Sequence, residues 1–146
     1  MHPTVGARRP VNIWKVASSG GPAIQVTRSG GFFALESPDR KWLYFSGASS
    51  ILRRMLVEGG EETDVVRDMM RSFAVTDKGV YYVAPAPDQR GALVRFIGHA
   101  GGESKTLGRI PRTPSAGLSL SPDGRFLLYS QYDQSAAELM LVENFH

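Results

Sequence analysis

Ser121-Pro122-Asp123-Gly124-Arg125-Phe126-Leu127-Leu128-Tyr129-Ser130 is a polar tight turn that feeds directly into an apolar strand. Proline presets φ at the first corner of a turn. Aspartate adds a side-chain acceptor, and glycine tolerates positive φ, so the chain reverses and two strands pair. The unit recurs as Ser37-Pro38-Asp39-Arg40-Lys41-Trp42-Leu43-Tyr44-Phe45-Ser46, and in diverged form as Thr76-Asp77-Lys78-Gly79-Val80-Tyr81-Tyr82-Val83. Before the last turn, Ala116–Ser121 alternates small or polar with apolar residues, as a two-faced strand should. After it, the run Phe126–Tyr129 suits a strand buried on both faces.

Outward from these hairpins the pattern is strands throughout. Val11–Val16 alternates and stops at Ser18-Ser19-Gly20-Gly21, and Ile24–Thr27 follows. The next cycle holds strands at Phe32–Glu36, Trp42–Phe45, Ile51–Val57 and Thr63–Val66. A second cycle gives Ser72–Val75, Val80–Val83, Leu93–Ile97 and Ser104–Leu107. A third gives Gly117–Leu120, Phe126–Ser130 and Glu138–Val142. The double glycines at 20–21, 59–60 and 101–102 lie 39 and 42 positions apart, and the turn positions Arg40, Gly79 and Gly124 lie 39 and 45 apart. Two markers sharing a period of about 40 residues, with four strands in each, predict an all-β fold of β-propeller blades, each a four-stranded antiparallel sheet. The chain divides into an arm, 1–10, and propeller repeats, 11–146: a partial blade 11–27, blades 32–67 and 71–109, and a blade 116–143 lacking its outer strand.

The chain has 146 residues and a formal charge of +3, with its arginines scattered, so charge does not point to nucleic acid. The absence of cysteine excludes disulfides, thiolate metal sites and cysteine nucleophiles. Residues 1–10 lack the apolar core of a signal peptide, and no stretch approaches the roughly 20 apolar residues of a spanning helix, so the expectation is a cytoplasmic protein.

The order Ile13-Trp14-Lys15-Val16, Gly20-Gly21, Gln25-Val26-Thr27, then Ser-Pro-Asp and an aromatic or leucine-rich strand resembles the TolB-type, WD-like propeller repeat over residues 11–143. It also resembles the C-terminal propeller portions of large soil-bacterial proteins, some of which carry a DNA-binding domain at their other end. The departure is Thr76-Asp77-Lys78-Gly79, which lacks the proline and predicts a middle turn of different shape. The resemblance implies fold rather than activity, because one fold hosts many functions.

Thirteen strands in about three blades do not close a ring, and an open wedge exposes apolar faces and strand edges. A homodimer forming one six-bladed ring answers both problems. Its shared blade is completed by the second copy, through either Ile24–Thr27 or the 11–16 strand. The other outcome is a chain that is a piece of a longer propeller.

Asp39 and Asp123 sit in turns where aspartate accepts backbone N–H bonds, so they are structural. Glu36, at the end of an innermost strand, and Asp77, in the irregular turn, are the candidate Ca²⁺ ligands, because calcium takes hard oxygen donors. Arg71, Ser72 and Ser115 enter later innermost strands and are the candidate donors to an anionic or carbonyl-bearing ligand. No spaced histidine pair, Gly-x-Ser-x-Gly elbow or phosphate loop occurs, and His99 is the one histidine placed as a base within the folded body. The strand aromatics read as packing between blades.

Two functions follow. One is a non-catalytic propeller module that binds a small ligand or a protein. The other, by analogy with propeller lactonases acting on acyl-homoserine lactones, is a Ca²⁺-dependent lactone or ester hydrolase with its site in the channel.

Overall fold

The computed structural model describes residues 9–47 and 50–133. The expected strand at Glu138–Val142 lies outside the described residues, as does most of the arm 1–10. Within them the protein is all-β, with no helix and so none long and apolar enough to cross a membrane.

Twelve strands are present: β1 (Trp14–Lys15), β2 (Ile24–Gln25), β3 (Ala34–Glu36), β4 (Trp42–Ser46), β5 (Leu52–Leu56), β6 (Thr63–Val66), β7 (Phe73–Val75), β8 (Gly79–Pro85), β9 (Ala92–Gly98), β10 (Lys105–Ile110), β11 (Pro114–Leu120) and β12 (Leu127–Gln131). They form two four-stranded antiparallel meanders, β3-β4-β5-β6 and β7-β8-β9-β10, flanked by the two-stranded sheets β1-β2 and β11-β12. Within each sheet every strand pairs with the next in sequence, as short polar turns between apolar runs dictate.

Two turns explain the repeat. Ser37 and Ser121 each donate their hydroxyl to the aspartate two residues on, Asp39 Oδ1 and Asp123 Oδ1, at 2.6 Å in both cases. Each serine oxygen then accepts a backbone N–H from the first strand residue, Trp42 at 2.9 Å and Phe126 at 3.0 Å. Both aspartates accept a backbone N–H as well, from Lys41 and Arg125. The hydroxyl bond first and the backbone bond second hold both carboxyls below the ordinary carboxylate range. The residue at the left-handed corner is Gly124 (φ 72°) in one copy and Arg40 (φ 62°) in the other.

The middle turn is shorter. Thr76 N bonds Gly79 O at 2.8 Å, which leaves Asp77 and Lys78 alone in the loop. Thr76 Oγ1 replaces serine and aspartate together, accepting from the Lys78 and Gly79 N–H groups at 3.3 Å. Gly79 is therefore the first residue of β8, not the left-handed corner that alignment with Arg40 and Gly124 suggested. It matches Trp42 and Phe126, and a two-residue loop needs no proline.

The core lies between sheets. Tyr44, Leu52, Val66 and Met69 pack against Phe73, Val80, Tyr82, Ala84 and Ile97, joining the two meanders. Val83, Ala92, Val94 and Ile110 form a second cluster, covered by Leu118 and Leu127 of β11-β12. The rim of the first interface is polar. The Tyr44 hydroxyl lies 2.7 Å from His99 Nδ1, and His99 Nε2 lies 2.7 Å from the Thr76 carbonyl oxygen. A carbonyl only accepts, so Nε2 carries the proton and Nδ1 accepts from tyrosine. Arg54 stacks 4.1 Å from the Trp42 ring centre and donates to the His99 carbonyl at 2.6 Å. Tyr82 donates to Ser104 Oγ at 2.7 Å, and burial pushes its hydroxyl above the ordinary tyrosine range.

The outer flanks differ from the sequence expectation. Phe126, Leu128 and Tyr129 are exposed rather than buried on both faces, and so is Trp14. The sheets that carry them have two strands where the central ones have four, and among the described residues nothing covers these side chains.

Candidate functional site

The first strands of three successive sheets, β3, β7 and β11, lie side by side, with β7 touching both neighbours. Their leading ends border a cleft of about 740 Å³ lined by Phe32, Phe33, Met69, Arg71, Ser72 and Gly117, among others. Its wall is mainly apolar. Phe32 and Phe33 are 67% and 51% exposed, although neither is at a turn tip that would require it. Phe33 stands edge-on to the buried Phe73, with ring centres 5.6 Å apart.

The local chain explains the opening. Arg71 has φ 26°, a left-handed backbone that a non-glycine residue adopts at a cost. Ser72 N then bonds back to the Met70 carbonyl, turning the chain sharply into β7. On the β11 side, Gly117 has φ 114° at an irregularity in the β11-β12 register between Pro114 and Leu118. Its N–H donates to Ser72 Oγ at 3.0 Å. The sharp turn into β7 and the bulge in β11 hold the strand starts apart, and the serine bridge fixes their separation.

Of the candidate donors, Arg71 is exposed at the cleft and makes no ion pair among the described residues. Ser72 lines the cleft but is buried, and its oxygen already accepts the Gly117 N–H. Ser115 lies in β11 beside the lining residues Ala116 and Gly117 and does not itself line the cleft. The candidate acids are elsewhere. Glu36 is the last residue of β3 and Asp77 is in the loop after β7, both exposed and neither in the cleft wall. Among the described residues no three histidine, aspartate or glutamate side chains are grouped to hold one metal ion. His99 is engaged on both ring nitrogens in the sheet interface.

Phe32, Phe33 and Met69 are the site residues that the sequence did not single out. The two phenylalanines read as an ordinary strand start. The available signal was Gly30-Gly31-Phe32-Phe33, two aromatics with no polar partner directly after a chain break. No protein-family model matches the chain, and no curated protein matches it.

Proposed function

We propose that this chain is a non-catalytic binding module of the propeller type, in which the two meanders are blades and the cleft at the starts of the innermost strands is the ligand site. The observation that carries this reading is the cleft itself: exposed aromatic walls with one arginine, Arg71, as their charged group. Apolar walls with a few placed polar groups are the usual character of a small-molecule site. The ligand class that fits is a small molecule with an apolar body and an anionic group. Two copies of the chain, with three blades' worth of strands each, complete a six-bladed ring and place the cleft at the mouth of its channel. The calcium-dependent hydrolase alternative rests on Glu36 and Asp77, which do not line the cleft, and no geometry favours it.

Octanoate and octanol separate the two parts of the site when titrated by calorimetry. Octanoate binds the wild-type chain more tightly than octanol. A charge-assisted hydrogen bond contributes about 1.5–3 kcal/mol, so Arg71→Met weakens octanoate by about 10-fold to 100-fold and leaves octanol unchanged. Phe33→Ser weakens both. Octanoate binding that is indifferent to Arg71 and Phe33, or no binding of either compound, contradicts the assignment.

A further inference from the structure

We infer that the exposed edge of β12 pairs with β1 of a second copy, so that two half-sheets form one four-stranded sheet in a defined register. The inference rests on the two-copy ring proposed above and specifies its joint. Among the described residues, which do not include the expected strand Glu138–Val142, the two half-sheets are separate: β11-β12 lacks the outer two strands of a meander, and β1-β2 lacks the inner two.

That β1-β2 is an outer pair follows from three identical turns. Gly20 N bonds Ala17 O at 2.9 Å, Gly59 N bonds Leu56 O at 2.9 Å, and Gly101 N bonds Gly98 O at 3.0 Å. Each turn closes the connection between the third and fourth strands of a sheet, so Ala17 corresponds to Leu56 and Gly98. That β11-β12 is an inner pair follows from the serine turns, in which Phe126 corresponds to Trp42 and, through Thr76, to Gly79.

These equivalences fix the register. In one meander Trp42 pairs with Leu56, and in the other Gly79 pairs with Gly98, so the same two landmarks face each other in both. Carried to the joint, Phe126 faces Ala17 of the second copy, Leu128 faces Lys15, Tyr129 faces Trp14 and Ser130 faces Ile13. The exposures match a covered surface: Trp14 is 57%, Leu128 59% and Tyr129 43% exposed in the single chain. Pairing sets Tyr129 against Trp14, an aromatic cross-strand contact of the kind that stabilises sheets. It also removes two open edges that otherwise invite uncontrolled association.

The hydrogen-bond phase is also given. Gly47 N bonds Ile51 O and Val57 N bonds Lys41 O, so the odd-numbered residues of β4 make the hydrogen-bonded pairs and Tyr44–Arg54 is a non-hydrogen-bonded pair. Its counterpart at the joint is Leu128–Lys15. Side chains approach most closely at such pairs, which suits a disulfide.

The chain has no cysteine, so the test is clean. Lys15→Cys and Leu128→Cys chains are purified separately, mixed, and oxidised mildly, with solution mass measured before oxidation. The expected result is a dimer that becomes a covalent heterodimer only in the mixture, and not when Tyr129→Cys replaces Leu128→Cys. Ile13→Cys with Ser130→Cys, a pair of the same phase, gives the same result and serves if either first variant folds poorly. A dimer that cross-links at neither pair overturns this joint while leaving the two-copy ring standing. A monomer that cross-links at neither pair overturns both.

Discussion

Ser37 and Ser121 organise their turns through the same five bonds, and the aspartates they serve are held in the charged form. Asp39 and Asp123 are fully exposed, so the bonds themselves, rather than burial, lower both carboxyls. A carboxyl lowered in the folded chain contributes stability above its unfolded value of about 3.9, and that contribution is lost as pH falls through the lower folded value. The melting temperature is therefore expected to fall as the pH drops below about 4. An Asp39→Asn/Asp123→Asn variant should melt lower at pH 7 and show a shallower fall. An identical acid dependence in that variant would place the titrating groups elsewhere. These turns were legible in the sequence because every atom that builds them comes from six consecutive residues. Arg71 was legible only as a charge near a strand start, since its left-handed backbone depends on contacts made by Met70 and Ser72.

At the scale of the elements, strand positions follow from alternation and turn chemistry, and the ends of the described strands lie within three residues of where those place them. What local pattern did not carry is which strand faces are covered. Phe126–Tyr129 has the same apolar run as Trp42–Phe45, yet Phe45 is fully buried and its counterpart Tyr129 is exposed, because a neighbouring sheet covers only the former. Close strand approach is another non-local feature. At Gly79 a Cβ would run into the Ile97 carbonyl oxygen on β9, whereas at Gly108 on β10 it would meet nothing within 4 Å. Gly79→Ala is thus expected to lower stability by ~1–3 kcal/mol or more, because backbone cannot move aside as a flexible side chain can. Gly108→Ala should leave denaturant midpoints nearly unchanged or raise them slightly. Equal effects of the two substitutions would mean that β8 and β9 are not paired at Gly79 and Gly98 as described.

For the whole molecule, the governing fact is that among the described residues both flanking sheets have two strands while the two central ones have four. The centre is well closed, with two apolar clusters and a rim of tyrosine, histidine and arginine bonds. The flanks carry Trp14, Ile24, Phe126, Leu128 and Tyr132 in contact with solvent. The sequence announced this imbalance through its strand count, and left the joint undecided because equivalence between the 11–16 strand and β5 shows only in the three matching turn bonds. The cleft was beyond the sequence for a related reason: its walls come from three strand starts about 40 residues apart, brought together only by stacking of the sheets. The most direct measurement is the light-scattering mass over a concentration series. The two-copy ring predicts twice the chain mass, reduced to one chain by Tyr129→Asp, which sets a carboxylate against the electron-rich face of Trp14 across the joint. A mass of one chain at every concentration would contradict it.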